Sequence, residues 1–135
     1  MAHDHDVLMT LADTAVELRD ADALRQYAPL LEELAARDGH RLYRAIAHRA
    51  WGVAHRLAGD HAESEVRFNR ATELFRELGT RWQIGRTLFE MAELDLARSN
   101  ADAAREYFSR ALAAFEELQA VPDAARTRAR LKSLG

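Results

Sequence analysis

Residues 70–79, RATELFRELG, return at residues 110–119 as RALAAFEELQ, an offset of forty positions. The same register pairs Leu34 with Leu74, Gly39 with Gly79, and Phe68 and Ala71 with Phe108 and Ala111. Self-similarity at a fixed period marks a repeat architecture, in which each unit is one supersecondary element that buries its apolar face against its neighbours. Three units, at about 4–39, 40–79 and 80–119, fill most of the chain, and residues 120–135 are left to cap the stack within a single domain over 1–135. A stack of repeats offers an extended surface and few enclosed sites, so binding is expected before catalysis.

Composition supports a helix-rich fold. Hydrophobic residues make up 48% and charged residues 30% of 135 positions, with only 6 Gly and 2 Pro. The apolar runs are a few residues long, far short of the roughly 20 that span a bilayer, and no basic segment precedes an apolar one as in a secretory leader. The expected compartment is the cytoplasm and no membrane contact is expected. With no cysteine, disulfides, thiol nucleophiles and cysteine-ligated zinc are excluded. A net charge of −3 disfavours nucleic acid as a partner, because neutralising phosphates takes a surplus of clustered cations.

Apolar residues recur at three- and four-residue intervals between polar turns, which predicts helices near 5–19, 21–38, 41–58, 61–78, 81–98, 101–118 and 122–133. Gly59-Asp60 and Ser99-Asn100 separate the two helices of a unit, while Gly39-His40 and Gly79-Thr80 separate one unit from the next. Asp60 with Glu63 and Thr80 with Gln83 have capping-box spacing. Pro29 falls inside the second helix and predicts a kink or a break there. Pro122 falls in a first turn, where no useful hydrogen bond is lost. The last helix, with Arg126, Arg128, Arg130 and Lys132, reads as a solvated lid.

The residues at these spacings resemble the tetratricopeptide repeat, whose motif sets a large residue, Leu-Gly and Tyr on one helix and Ala, an aromatic and Ala on the next. In the second unit the series is Trp51, Gly52, His55, Ser64, Phe68 and Ala71. In the third it is Leu88, Met91, Ala92, Asp95, Ala104, Phe108 and Ala111, and in the first Leu8, Leu11, Ala12, Ala15, Leu24, Ala28 and Leu31. The period is forty rather than 34, as in the longer repeats of bacterial regulatory proteins, and the terminal proline of the motif is absent. The resemblance implies an all-α, right-handed α-solenoid of antiparallel helix pairs with about seven helices. It also implies a non-catalytic adaptor or sensor that binds a protein or peptide. Two alternatives stand beside it: a self-associating scaffold, which makes a homo-oligomer, and an RNA-binding helical repeat, which the net acidity disfavours.

In such a solenoid the first helix of each pair lines a concave groove. That face would carry Ile46, Arg49, Val53, Arg56, Arg86, Phe89, Glu93, Leu96, Arg126 and Arg130, preceded by Met9, Asp13 and Val16. Arginines among apolar side chains suit a segment that brings carboxylates and apolar anchors. The competing reading is a solvated, salt-bridged face. The family's chaperone-tail binders hold a terminal carboxylate with an asparagine where this chain has Val53 and Glu93, which argues against that activity.

No cofactor and no catalytic residue are predicted, because the Gly-x-Ser-x-Gly, His-Glu-x-x-His and phosphate-loop patterns are all missing. His48 and His55 share a helix face, but two turns separate them by about 10 Å, too far for one zinc ion. Packed histidines are the expectation. The His3-Asp4-His5-Asp6 start suits adventitious metal capture or a frayed end. Glu32-Glu33 and Glu116-Glu117 read as solvated helix faces.

Overall fold

The computed structural model describes residues 2–135, with side chains from Asp6 onward, so the His3, Asp4 and His5 side chains lie outside the described residues. Among the described residues the chain forms helices and no strand: α1 (Ala2–Leu18), α2 (Ala21–Asp38), α3 (Arg41–Leu57), α4 (His61–Leu78), α5 (Arg81–Ala97), α6 (Ala101–Glu117) and α7 (Val121–Ser133). Two compact units divide it, Met1–Leu78 with α1 to α4 and Gly79–Gly135 with α5 to α7.

A helix stops every twenty residues, and the stop has one backbone form. Arg19, Gly39, Gly59, Gly79, Ser99 and Gln119 all adopt positive φ between 53° and 83°. At five of these turns the next residue's N–H reaches back five residues to a carbonyl, as in Asp20 to Ala15, His40 to Ala35, Asp60 to His55, Asn100 to Asp95 and Ala120 to Phe115. This closes the last helical turn and satisfies carbonyls that would otherwise be orphaned. Glycine takes the left-handed conformation freely, whereas Arg19, Ser99 and Gln119 take it at a steric cost.

Each stop hands over to an N-cap. Asp20 accepts from the Ala23 N–H at 3.1 Å, His40 Nδ1 from Tyr43 at 3.4 Å, Asp60 from Glu63 at 3.4 Å and Asn100 from Ala103 at 3.2 Å. Thr80 differs from the capping-box expectation: it holds the N-cap position in extended backbone, but its hydroxyl makes no capping bond. The predicted break at Pro29 is also not found, since α2 is continuous through it. Leu24, Ala28, Leu31 and Ala35, all buried, anchor both halves of α2 on one core face and hold it together across the missing donor. Pro122 lies in the first turn of α7 as expected.

The second helix of every pair presents the same buried comb at intervals of four, three and four residues. It reads Leu24, Ala28, Leu31 and Ala35 on α2, Ser64, Phe68, Ala71 and Phe75 on α4, and Ala104, Phe108, Ala111 and Phe115 on α6. These intervals keep one helical face toward the core. Burying each phenylalanine stabilises by about 1.5–3 kcal/mol. In the first unit α4 crosses α3 where α3 has no side chain. A Cβ on Gly52 would lie 2.5 Å from the Phe68 ring, and Ser64 Oγ donates to the Gly52 carbonyl at 2.6 Å. In the second unit Gly85 of α5 lies under the Phe115 ring in the same way, at 2.9 Å.

Candidate functional site

In the first unit α3 packs against α1, α2 and α4, which leaves it little free surface. Ile46 and Val53 are fully buried in its core, and Arg56 is buried as well. Arg49 is fully buried too. Its Nη2 donates to Asp13 Oδ1 of α1 at 3.1 Å, and its guanidinium lies 5.1 Å from the centre of the Phe75 ring of α4. Three helices are thereby tied to one cation. Of the residues placed on the expected groove face, these four present almost no surface to a ligand, and the reason is the number of helices around α3.

A second polar cluster joins α2, α3 and α4. Arg67 of α4 bonds Glu32 of α2, meets His48 Nδ1 at 3.1 Å and lies 5.4 Å from the Trp51 ring, which itself stacks on His55 at 5.4 Å. A guanidinium only donates, so Nδ1 of His48 is the acceptor and the ring is neutral. Burial, and next the Arg67 cation, push the His48 pKa down to about 4 against the pull of Glu32. The two histidines are packed side chains, as their spacing implied. Glu32 is not a purely solvated acid, because it is half-buried in this cluster. Among the described residues no three His, Asp or Glu side chains gather as a metal site.

The second unit brings several of the expected site residues together. Phe89 of α5 is buried and meets Phe108 of α6 edge-on, with ring centres 5.1 Å apart. The Arg126 guanidinium of α7 covers Phe89 at 4.6 Å, and Arg130 lies 5.8 Å from the Phe108 ring while bonding Glu93 of α5 at 2.5 Å. Arg86 is buried against Trp82 at 5.1 Å, and Trp82 Nε1 donates to Asp123 of α7 at 2.8 Å. Glu93 and Leu96 of α5 are half-buried. Arg126 and Arg130 keep 35% and 39% of their side-chain surface exposed. Arg126 and Arg130 are thus docked on α5 and α6, while Arg128 and Lys132 of the same helix stay exposed as the lid reading expects. Trp82 and Asp123 were not expected here; their separation of 41 residues, close to the repeat period, is the signal that places them on successive first helices.

A family model described as the tetratricopeptide repeat matches residues 43–117, more than half of the chain. The chain belongs to the tetratricopeptide-repeat family. The match opens in the first turn of α3 and closes at the last residue of α6. Outside it, α2 carries the same buried comb as the other tetratricopeptide second helices. Proteins of this family generally serve as platforms for protein–protein interaction rather than as catalysts. No curated protein matches the chain. Among the described residues, no helix is long and apolar enough to cross a membrane.

Proposed function

We propose that the chain is a non-catalytic adaptor or sensor module of the cytoplasm that binds an extended or helical protein segment along the α5–α7 face. The observation that carries this reading is the pair of half-exposed arginines, Arg126 and Arg130, held over the Phe89 and Phe108 rings, with Arg130 bonded to Glu93 and Leu96 half-buried three residues further along α5. Arg126 also pairs with Asp123 at 3.6 Å, and a guanidinium already fixed on an aromatic face loses little rotamer entropy when it exchanges such a carboxylate for one of the ligand. Glu93 acts as the placeholder: a ligand carboxylate takes its place on Arg130, and the ligand's apolar side chains meet Leu96. The ten residues of the sequence-based site separate accordingly. Leu96, Arg126 and Arg130 touch the ligand and Glu93 gives up Arg130 to it, while Ile46, Arg49, Val53, Arg56, Arg86 and Phe89 support the helices that carry such faces.

Selection from a random peptide display library tests the reading. The wild-type chain should enrich sequences that combine acidic and apolar residues, and the Arg126→Gln, Arg130→Gln double variant should not. Enrichment of the same sequences by both proteins contradicts it.

A further inference from the structure

The outer side of the first helix pair carries a cleft of about 490 Å3 lined by Val7, Leu8, Leu30, Glu33, Leu34 and Arg37. Val7 is 56% exposed and Leu30 48%. In the forty-residue register Val7 corresponds to Ala47 and Thr87, and Leu8 to His48 and Leu88, all of which are buried. Within the first unit the cover over that part of α3 comes from the preceding helix pair, for α3 packs on α1 and α2 and Glu32 of α2 reaches His48. The outer side of α1 and α2 is therefore a surface of the kind this repeat covers with another pair of its own type. Leu30 adds a second sign. Its counterparts are Arg70 and Arg110, both exposed, so a position that carries a solvated cation twice carries leucine at this cleft.

The charges around the cleft select the occupant. Glu33 and Arg37 stand one helical turn apart on α2 and flank Leu34, with Arg37 also holding its neighbour Asp38 at 3.1 Å. Two α2 helices laid antiparallel about a two-fold axis level with position 35, one residue past Leu34, set Glu33 of each copy opposite Arg37 of the other, twice over. The pattern is self-complementary, as an isologous interface requires. We propose that the α1–α2 outer face pairs with the same face of a second copy of this chain. The pairing uses no residue of α5 or α7 and stands independently of the ligand face there.

Sedimentation equilibrium over about a hundredfold range of concentration tests the pairing. The wild-type chain should show a dimer that dissociates on dilution. Leu30→Arg, which gives α2 the residue type of positions 70 and 110, should weaken it at least ~10-fold with helicity unchanged. Glu33→Arg alone and Arg37→Glu alone should each weaken it, because each leaves like charges facing across the axis. Combining the two in one chain should restore the dimer, and mixing the two single variants should produce mixed dimers. A wild-type chain that stays monomeric throughout overturns the proposal. So does a dimer indifferent to Leu30→Arg, or a loss in the single reversals that the double reversal fails to repair.

Discussion

Arg49 of α3, with no exposed surface, donates through Nη2 to Asp13 of α1 at 3.1 Å. The bond makes this arginine a structural tie between α1 and α3. Removing a guanidinium from water is costly, and the carboxylate together with the Phe75 ring offsets that cost only while all three are in place. Arg49→Ala should lower the unfolding free energy by about 2–4 kcal/mol, toward the lower figure because Asp13 keeps 23% of its side-chain surface exposed. Arg49→Met combined with Asp13→Leu should cost less than Arg49→Met alone, since the pair then leaves no charge unmatched. Urea titrations of the three variants measure both differences.

The crossing of α3 and α4 at Gly52 leaves no room for a methyl group. Gly52→Ala should destabilise by about 1–3 kcal/mol, because the ring of Phe68 must move within a filled core. Gly85→Ala, whose Cβ meets the Phe115 ring at the longer distance of 2.9 Å, should cost less. Thermal unfolding of the two variants side by side gives the order.

Backbone strain at the twenty-residue stops should be relievable. Gln119 is at φ 57° and Ser99 at φ 62°, where their counterparts Gly39, Gly59 and Gly79 meet no penalty. Gln119→Gly and Ser99→Gly should each raise stability by about 1 kcal/mol. Ordinary helix-exposed glycine substitutions lower it by a similar amount, so the sign of the change in denaturant midpoint decides the matter.

Acid should act on the first unit through His48. The unfolded imidazole titrates near 6.5 and the folded one near 4, so on acidification the unfolded chain takes up the proton first. The site's stabilising effect is complete above about pH 6.5 and is lost as the pH falls toward 4, at no more than about 1.4 kcal/mol per pH unit. A His48→Gln variant should show a shallower decline over that window than the wild-type chain in denaturant titrations at matched pH. Parallel curves would place the acid sensitivity in the carboxylates instead.

Helix placement was legible in the sequence because glycines and short polar residues punctuate it at fixed intervals. The stops at Arg19 and Gln119 carry no such residue and were readable only from the spacing. The buried comb was equally plain, since a repeat conserves its packing positions within one chain. The depth of α3 was not. Register gives which positions correspond, but it does not count the helices that surround them, and ten of the seventeen α3 residues are buried. An arginine also reads as surface until its partner is known, and Asp13 lies thirty-six residues away from Arg49. Glu93 and Arg130, both placed on the expected groove face, also bond each other, which periodicity along a single helix cannot reveal.

Isothermal titration of a peptide enriched by the wild-type chain tests the central claim most directly, with Arg126→Gln/Arg130→Gln and Arg128→Gln as the compared variants. Arg128 lies on the same helix but bonds Glu116 of α6, so its loss should leave the affinity unchanged. The double variant should bind at least ~10-fold more weakly, equivalent to about 1.4 kcal/mol, while remaining fully helical. Equal affinity in all three proteins contradicts the assignment of the α5–α7 face as the binding site.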